Sequence, residues 1–190
     1  MLLPEFYEEL FYVKEINLFE STFKIYLEKI RDYSFLETRS FLKRLNRNYT
    51  IEELKNLQRL YLYNSQLTSI PKLTLLPNLR ILDLQNNQLT SFPNLNFPNL
   101  RELWLDYNKL TSFPMLHLPN LTHLMLTVNE LTELPNLNLP NLKELFLTSN
   151  QFTSIPKLTF VPNLQRLWIN DNPLIEVDIS IYKNLQSFLY

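Results

Sequence analysis

From Leu57 to the end of this 190-residue chain, the sequence returns on itself every 21 or 22 residues. Leucines open the units at Leu57, Leu79, Leu100, Leu121, Leu142, Leu164 and Leu185. Each follows an asparagine: Asn56, Asn78, Asn99, Asn120, Asn141, Asn163 and Asn184. A fixed period of this length marks one supersecondary unit stacked on copies of itself, because a single unit cannot bury its apolar face alone. The expected architecture is a solenoid whose sides are ladders of equivalent residues. Such a pattern determines how a surface is presented and leaves open what that surface binds.

Within one unit, Leu100-Arg101-Glu102-Leu103-Trp104-Leu105-Asp106-Tyr107-Asn108-Lys109-Leu110, the alternation of Leu103 and Leu105 with polar or aromatic neighbours predicts a short strand with one face buried. Every unit returns the chain to the same start, so successive strands must run parallel. The following segment reads Leu110-Thr111-Ser112-Phe113-Pro114. Prolines recur in two columns, at Pro71, Pro93, Pro114, Pro135 and Pro156 and at Pro77, Pro98, Pro119, Pro140 and Pro162. Proline fixes φ and donates no hydrogen bond, so extended rather than helical return segments are predicted. Ile70, Phe92, Phe113, Leu134, Ile155 and Val177, then Leu73, Leu95, Leu116, Leu137 and Leu158, are expected to point inward there. The sixth unit departs from the rule, with Asp178 and Lys183 where proline is due.

The unit resembles the leucine-rich repeat signature, L-x-x-L-x-L-x-x-N-x-L. Six units match in register, starting at 57, 79, 100, 121, 142 and 164, and a partial seventh starts at 185. The departures are Ser65 for the first asparagine, with Phe152 and Ile169 each replacing a leucine. The resemblance implies an α/β solenoid: a curved stack of short parallel β-strands with extended convex segments. It also implies that Asn87, Asn108, Asn129, Asn150 and Asn172 bond backbone groups which, left buried and unpaired, would cost roughly 1–3 kcal/mol.

Residues 1–50 carry no repeat. Pro4 suits a first helical turn. Phe6, Leu10 and Val13 share one helical face, as do Phe23, Leu27 and Ile30. Ser34-x-x-Glu37 and Thr50-x-x-Glu53 read as capping boxes. We expect a helical N-terminal cap over 1–50 that covers the apolar end of a solenoid over 51–190. A helical module ahead of leucine-rich repeats also resembles the order in F-box receptors of ubiquitin ligases, and Leu3-Pro4-Glu5 matches the start of an F-box, although the rest of the segment does not follow it.

Composition removes several classes of function. Net charge is −1, which gives no basic excess for gripping nucleic acid. Cysteine is absent, which excludes disulfides, thiolate metal sites and cysteine nucleophiles and favours a reducing compartment. Met1-Leu2-Leu3-Pro4-Glu5 lacks the basic start of a signal peptide, and no apolar run is long enough to span a bilayer. An intracellular, cytoplasmic location with no membrane contact is expected. Glycine is absent too, so no phosphate-cradling loop is available, and left-handed backbone positions should fall on asparagine or aspartate.

Side chains that alternate with the strand leucines face the concave side. The central column reads Tyr61, Asp83, Trp104, Met125, Phe146 and Trp168, predicted to form a nearly continuous apolar stripe. Tyr63, Gln85, Asp106, Thr127, Thr148 and Asn170 border it, with Asn64, Asn86, Tyr107, Val128, Ser149 and Asp171 beyond. Aromatic neighbours in a sheet stabilise one another, yet an exposed aromatic stripe is also what protein-binding hot spots look like. Another column holds Glu102, His123 and Glu144, which reads as a solvated charge ladder. The candidate partner-binding residues are thus Tyr61, Tyr63, Glu102, Trp104, Asp106, Tyr107, His123, Met125, Glu144, Phe146 and Trp168. No catalytic, cofactor or metal site is expected. The expected role is that of a monomeric, non-enzymatic module capturing a protein partner. An F-box-like receptor, or regulation of a phosphatase or GTPase, are the alternatives.

Overall fold

The structure, a computed structural model, describes residues 38–190 except 72, 74 and 75. The helices expected from Pro4 to Ile30, the Ser34 capping box and the Leu3-Pro4-Glu5 motif lie outside the described residues.

Residues 38–44 are helical and place Phe41 and Leu42 in the apolar core. The stretch ends at Asn46, whose φ is 58°. Asn46 N–H donates to Lys43 O and Arg47 N–H to Leu42 O, at 3.0 and 2.9 Å. This is the left-handed cap usually built on glycine, here supplied by asparagine as a glycine-free chain requires. Helix α1 spans Ile51–Asn56 and has the expected reciprocal capping box. Glu53 N–H donates to Thr50 Oγ1 at 3.2 Å, and Thr50 N–H donates to Glu53 Oε2 at 2.7 Å. Leu54 of this helix is fully buried in the same cluster as the first strand leucines.

Seven three-residue strands follow: β1 Arg59–Tyr61, β2 Ile81–Asp83, β3 Glu102–Trp104, β4 His123–Met125, β5 Glu144–Phe146, β6 Arg166–Trp168 and β7 Ser187–Leu189. They form one parallel sheet in sequence order. Leu60, Leu82, Leu103, Leu124, Leu145, Leu167 and Phe188 lie side by side in register. These leucines, the second strand-end leucines and the convex-side apolar residues form a single continuous core. Each fully buried leucine contributes on the order of 1.5–3 kcal/mol.

The return segments are extended, with isolated parallel bridges at His117–Asn138, Asn138–Phe160 and Ser154–Glu176. Phe92 and Phe113 are buried and stack at 5.9 Å between centroids. One inward expectation fails: Val177 is 45% exposed. Leu134 is only half-buried.

Units of 22 residues keep the strands in register because the extra residue sits on the convex side. In the fifth unit it falls between Leu158 and Val161. Thr159 there is tied to the preceding coil by Asn136, which accepts from Thr159 N–H at 3.2 Å and donates to its hydroxyl at 3.1 Å. Glu144 still pairs with Arg166 and Phe146 with Trp168.

Candidate functional site

What holds the concave face in place is the asparagine column. Asn129 is representative. Its Oδ1 accepts from Leu110 N–H in the preceding coil at 3.0 Å. Its Nδ2 donates to Leu105 O and Leu126 O, both at 3.1 Å. Asn87, Asn108, Asn150 and Asn172 repeat the arrangement. Each side chain therefore satisfies buried backbone groups of its own coil and the one before, where no water can reach them.

A second asparagine ladder was not anticipated from the sequence, although its residues were plain there. Asn99, Asn120, Asn141, Asn163 and Asn184 each donate to the carbonyl of the proline 22 or 23 residues earlier, at 2.6–2.8 Å. Asn78 donates in the same way to Lys55 O at 2.8 Å. The Pro-Asn-Leu recurrence is thus a clip: the proline of one coil presents the acceptor for the asparagine of the next.

A left-handed residue stands just before each clamp asparagine, and before Ser65, which replaces it in the first unit. Asn64, Asn86, Tyr107, Val128, Ser149 and Asp171 all have φ between 52° and 56°. The expectation that only asparagine or aspartate would occupy left-handed positions is corrected at Gln66, whose φ is 56°, and at Tyr107, Val128 and Ser149. The sheet's hydrogen bonding runs through this position, as in Val128 N–H to Thr148 O at 2.9 Å, and overrides the residue's own preference. For β-branched Val128 this is true strain.

On the solvent side of the sheet, Tyr61, Tyr63 and Tyr107 are exposed, and Trp104, Met125, Phe146 and Trp168 are half-buried. Phe146 and Trp168 stack face to face. The apolar stripe is interrupted at Asp83, which lies between Tyr61 and Trp104 in register and is only 4% exposed. Asp106 also differs from expectation. It is buried rather than an exposed rim residue. Its Oδ1 accepts from Thr127 N–H at 2.7 Å and its Oδ2 from Gln85 Nε2 at 2.6 Å. Gln85 N–H donates in turn to Asp83 Oδ1 at 3.0 Å. Burial pushes both carboxyls above the ordinary aspartate range, the charge of Asp106 adding to the effect at Asp83, against the opposing hydrogen bonds.

Of the His123 trio, the structure joins only part. His123 Nε2 is 3.7 Å from Glu144 Oε1, and Arg166 Nη1 donates to the same oxygen at 2.8 Å. Glu102 forms no ion pair among the described residues. Thr122 Oγ1 lies 2.9 Å from His123 Nδ1, which sets a hydroxyl, an imidazole and a carboxylate in a row. The hydroxyl also lies within donating distance of Arg101 O, at 2.9 Å. It is thus shared between Arg101 O and the ring nitrogen, and its role toward Nδ1 follows the imidazole tautomer. Among the described residues no cluster of histidine and carboxylate side chains could hold a metal ion.

A model of paired leucine-rich repeats matches overlapping stretches 55–97, 77–116, 98–139, 119–160 and 140–184. The chain belongs to the leucine-rich repeat family. Among solved structures, the leucine-rich repeat domain of a Shigella effector is 31% identical over 67% of this chain and 58% of that one, with a TM-score of 0.58. YopM from Yersinia enterocolitica WA-314 is 28% identical over 70% of this chain and 33% of that one, TM-score 0.49. A leucine-rich repeat protein of Leptospira interrogans is 29% identical over 73% of this chain and 51% of that one, TM-score 0.41. The chain thus spans 58% or less of the length of these three structures. No curated protein matches it in sequence. Leucine-rich repeats are a typical scaffold for protein–protein interaction. No helix among the described residues is long and apolar enough to cross a membrane.

Proposed function

We propose that this leucine-rich repeat protein captures a protein partner on its concave face, acting by binding rather than by catalysis. One observation carries the reading: Tyr61, Trp104, Met125, Phe146 and Trp168 occupy one column of a parallel sheet, all with surface left open to solvent. Large aromatic side chains lose little conformational freedom on binding and dominate the energy of protein contacts. The asparagine ladders hold the strands in position beforehand, so little ordering entropy opposes association. Exposed Tyr63 and Tyr107 extend the strip, and Glu102, His123 and Glu144 form a polar border. An intracellular, monomeric protein fits this reading, supported by the absence of cysteine.

The test is affinity capture with mass spectrometry, comparing wild type with Trp104→Ala and Trp168→Ala. Both variants should lose the same captured protein while their thermal unfolding stays nearly unchanged. Retention of that protein by both variants would remove the concave face from consideration.

A further inference from the structure

The charges on the concave face are distributed unevenly. Glu144 is engaged by Arg166 and His123. Asp83, Glu102 and Asp106, clustered on β2, β3 and the turn after β3, form no ion pair among the described residues. Arg59, on β1, is exposed and pairs with none of them. The β2–β3 part of the face therefore carries three carboxylates without a counter-charge, beside Tyr61 and Trp104.

The two buried carboxylates are not equivalent. Both oxygens of Asp106 accept hydrogen bonds from neutral donors. Asp83 Oδ1 has one such bond, but Oδ2 has no donor among the described residues, although the residue is 4% exposed. Oδ2 is not among the buried side-chain atoms left without a partner, so it keeps contact with solvent and a cation can reach it. Its immediate neighbours in register are Tyr61 on one side and Trp104 on the other. Adjacent strands lie about 4.8 Å apart, within the roughly 6 Å over which an aromatic face attracts a cation.

We infer that the partner is basic, and that one of its arginine or lysine side chains lies at Asp83 between Tyr61 and Trp104, with Glu102 and Asp106 beside it. This rests on the concave-face reading above and adds the partner's chemistry to it. A cation there would meet the open Asp83 oxygen and two ring faces at once. A guanidinium suits the position best, since its plane stacks on aromatic rings while its edge donates to a carboxylate. The pKa values of Asp83 and Asp106, raised first by burial and at Asp83 also by the charge of Asp106, agree with a site whose negative charge has no counter-ion in the free protein.

The experiment selects a phage-displayed library of random dodecapeptides on wild type, on Asp83→Asn/Glu102→Gln and on Trp104→Ala. Peptides retained by wild type should show at least a threefold excess of arginine and lysine over the input library. That excess should disappear on Asp83→Asn/Glu102→Gln, whose unfolding midpoint should equal or exceed that of wild type. Should the double variant fail to fold, Glu102→Gln alone, at a half-exposed position without bonds, should show a partial loss of the excess. Peptides that need Trp104 but show no basic excess would overturn this inference and leave the concave-face reading standing. A basic excess that persists on the folded carboxylate variants would also overturn it. Failure to enrich any peptide, or enrichment that Trp104→Ala does not affect, counts against both.

Discussion

Phe146 and Trp168 lie face to face on adjacent strands, their ring centroids 4.2 Å apart and their planes within 3° of parallel. The contact follows from the register, which places the two residues directly opposite each other. A double-mutant cycle with Phe146→Ala and Trp168→Ala should give a coupling of about 1 kcal/mol in urea unfolding. A coupling indistinguishable from zero would show that the rings pack independently.

Asn129→Ala removes the acceptor of Leu110 N–H and a donor to Leu105 O and Leu126 O, all buried. Loss of about 3 kcal/mol in stability is expected. The same change at Asn120, whose exposed side chain donates only to Pro98 O at 2.7 Å, should cost about 1 kcal/mol or less. Denaturant midpoints of the two variants, compared directly, test this ranking.

Val128 holds φ at 54° with its side chain on the surface. Val128→Asn relieves a strained β-branched residue without disturbing the core, and should stabilise the protein by about 1 kcal/mol. An unchanged or lower unfolding midpoint would mean that the valine makes compensating contacts.

The carboxyls of Asp83 and Asp106 lie above the ordinary value of 3.8 in the folded chain. A group raised on folding adds stability that is full below its unfolded value and disappears as pH rises through its folded value. Stability from these two groups should therefore decline as pH rises from about 4 through the raised values. Glu102, His123, Arg59 and the Glu144–Arg166 pair share the face, so the comparison that isolates the effect is wild type against Asp83→Asn. The variant should show a shallower decline and a higher midpoint at neutral pH.

Tyr182 takes the place of a convex leucine in the sixth unit. Its hydroxyl donates to Pro156 O and accepts from Leu158 N–H, the latter at 3.3 Å. Burial pushes its pKa up to about 12. Stability should thus fall as pH rises above the ordinary tyrosine value of 10.0 toward 12. Tyr182→Phe should abolish that decline and cost about 1 kcal/mol at neutral pH, because Pro156 O and Leu158 N–H, which also bond each other at 3.2 Å, lose the hydroxyl they share.

The strand positions, their parallel order and the inner asparagine column were legible because each depends on a period repeated many times. The Thr50 box was legible because its spacing is specific. The left-handed turns at Tyr107, Val128 and Ser149 were not, because the sheet's hydrogen bonding between coils sets the backbone there against local preference. Neither was the burial of Asp83 and Asp106. Alternation places both on the solvent side of the sheet, and their burial depends on side chains of other coils, such as Gln85 bonded to Asp106, which one strand's pattern cannot express. Val177 stands exposed although its column predicts an inward residue, in the unit where Asp178 and Lys183 break the proline pattern.

The surplus residue between Leu158 and Val161 shows which side of the ribbon tolerates a change in length. A residue added there is taken up by a local detour, and the facing side chains of β5 and β6 keep their partners. The same addition between Leu145 and Asn150 would turn the remaining side chains of that coil inside out and pull its asparagine away from four backbone groups. Spacers or tags are therefore best inserted in the outer arc, and any lengthening of the inner strip must proceed by complete turns.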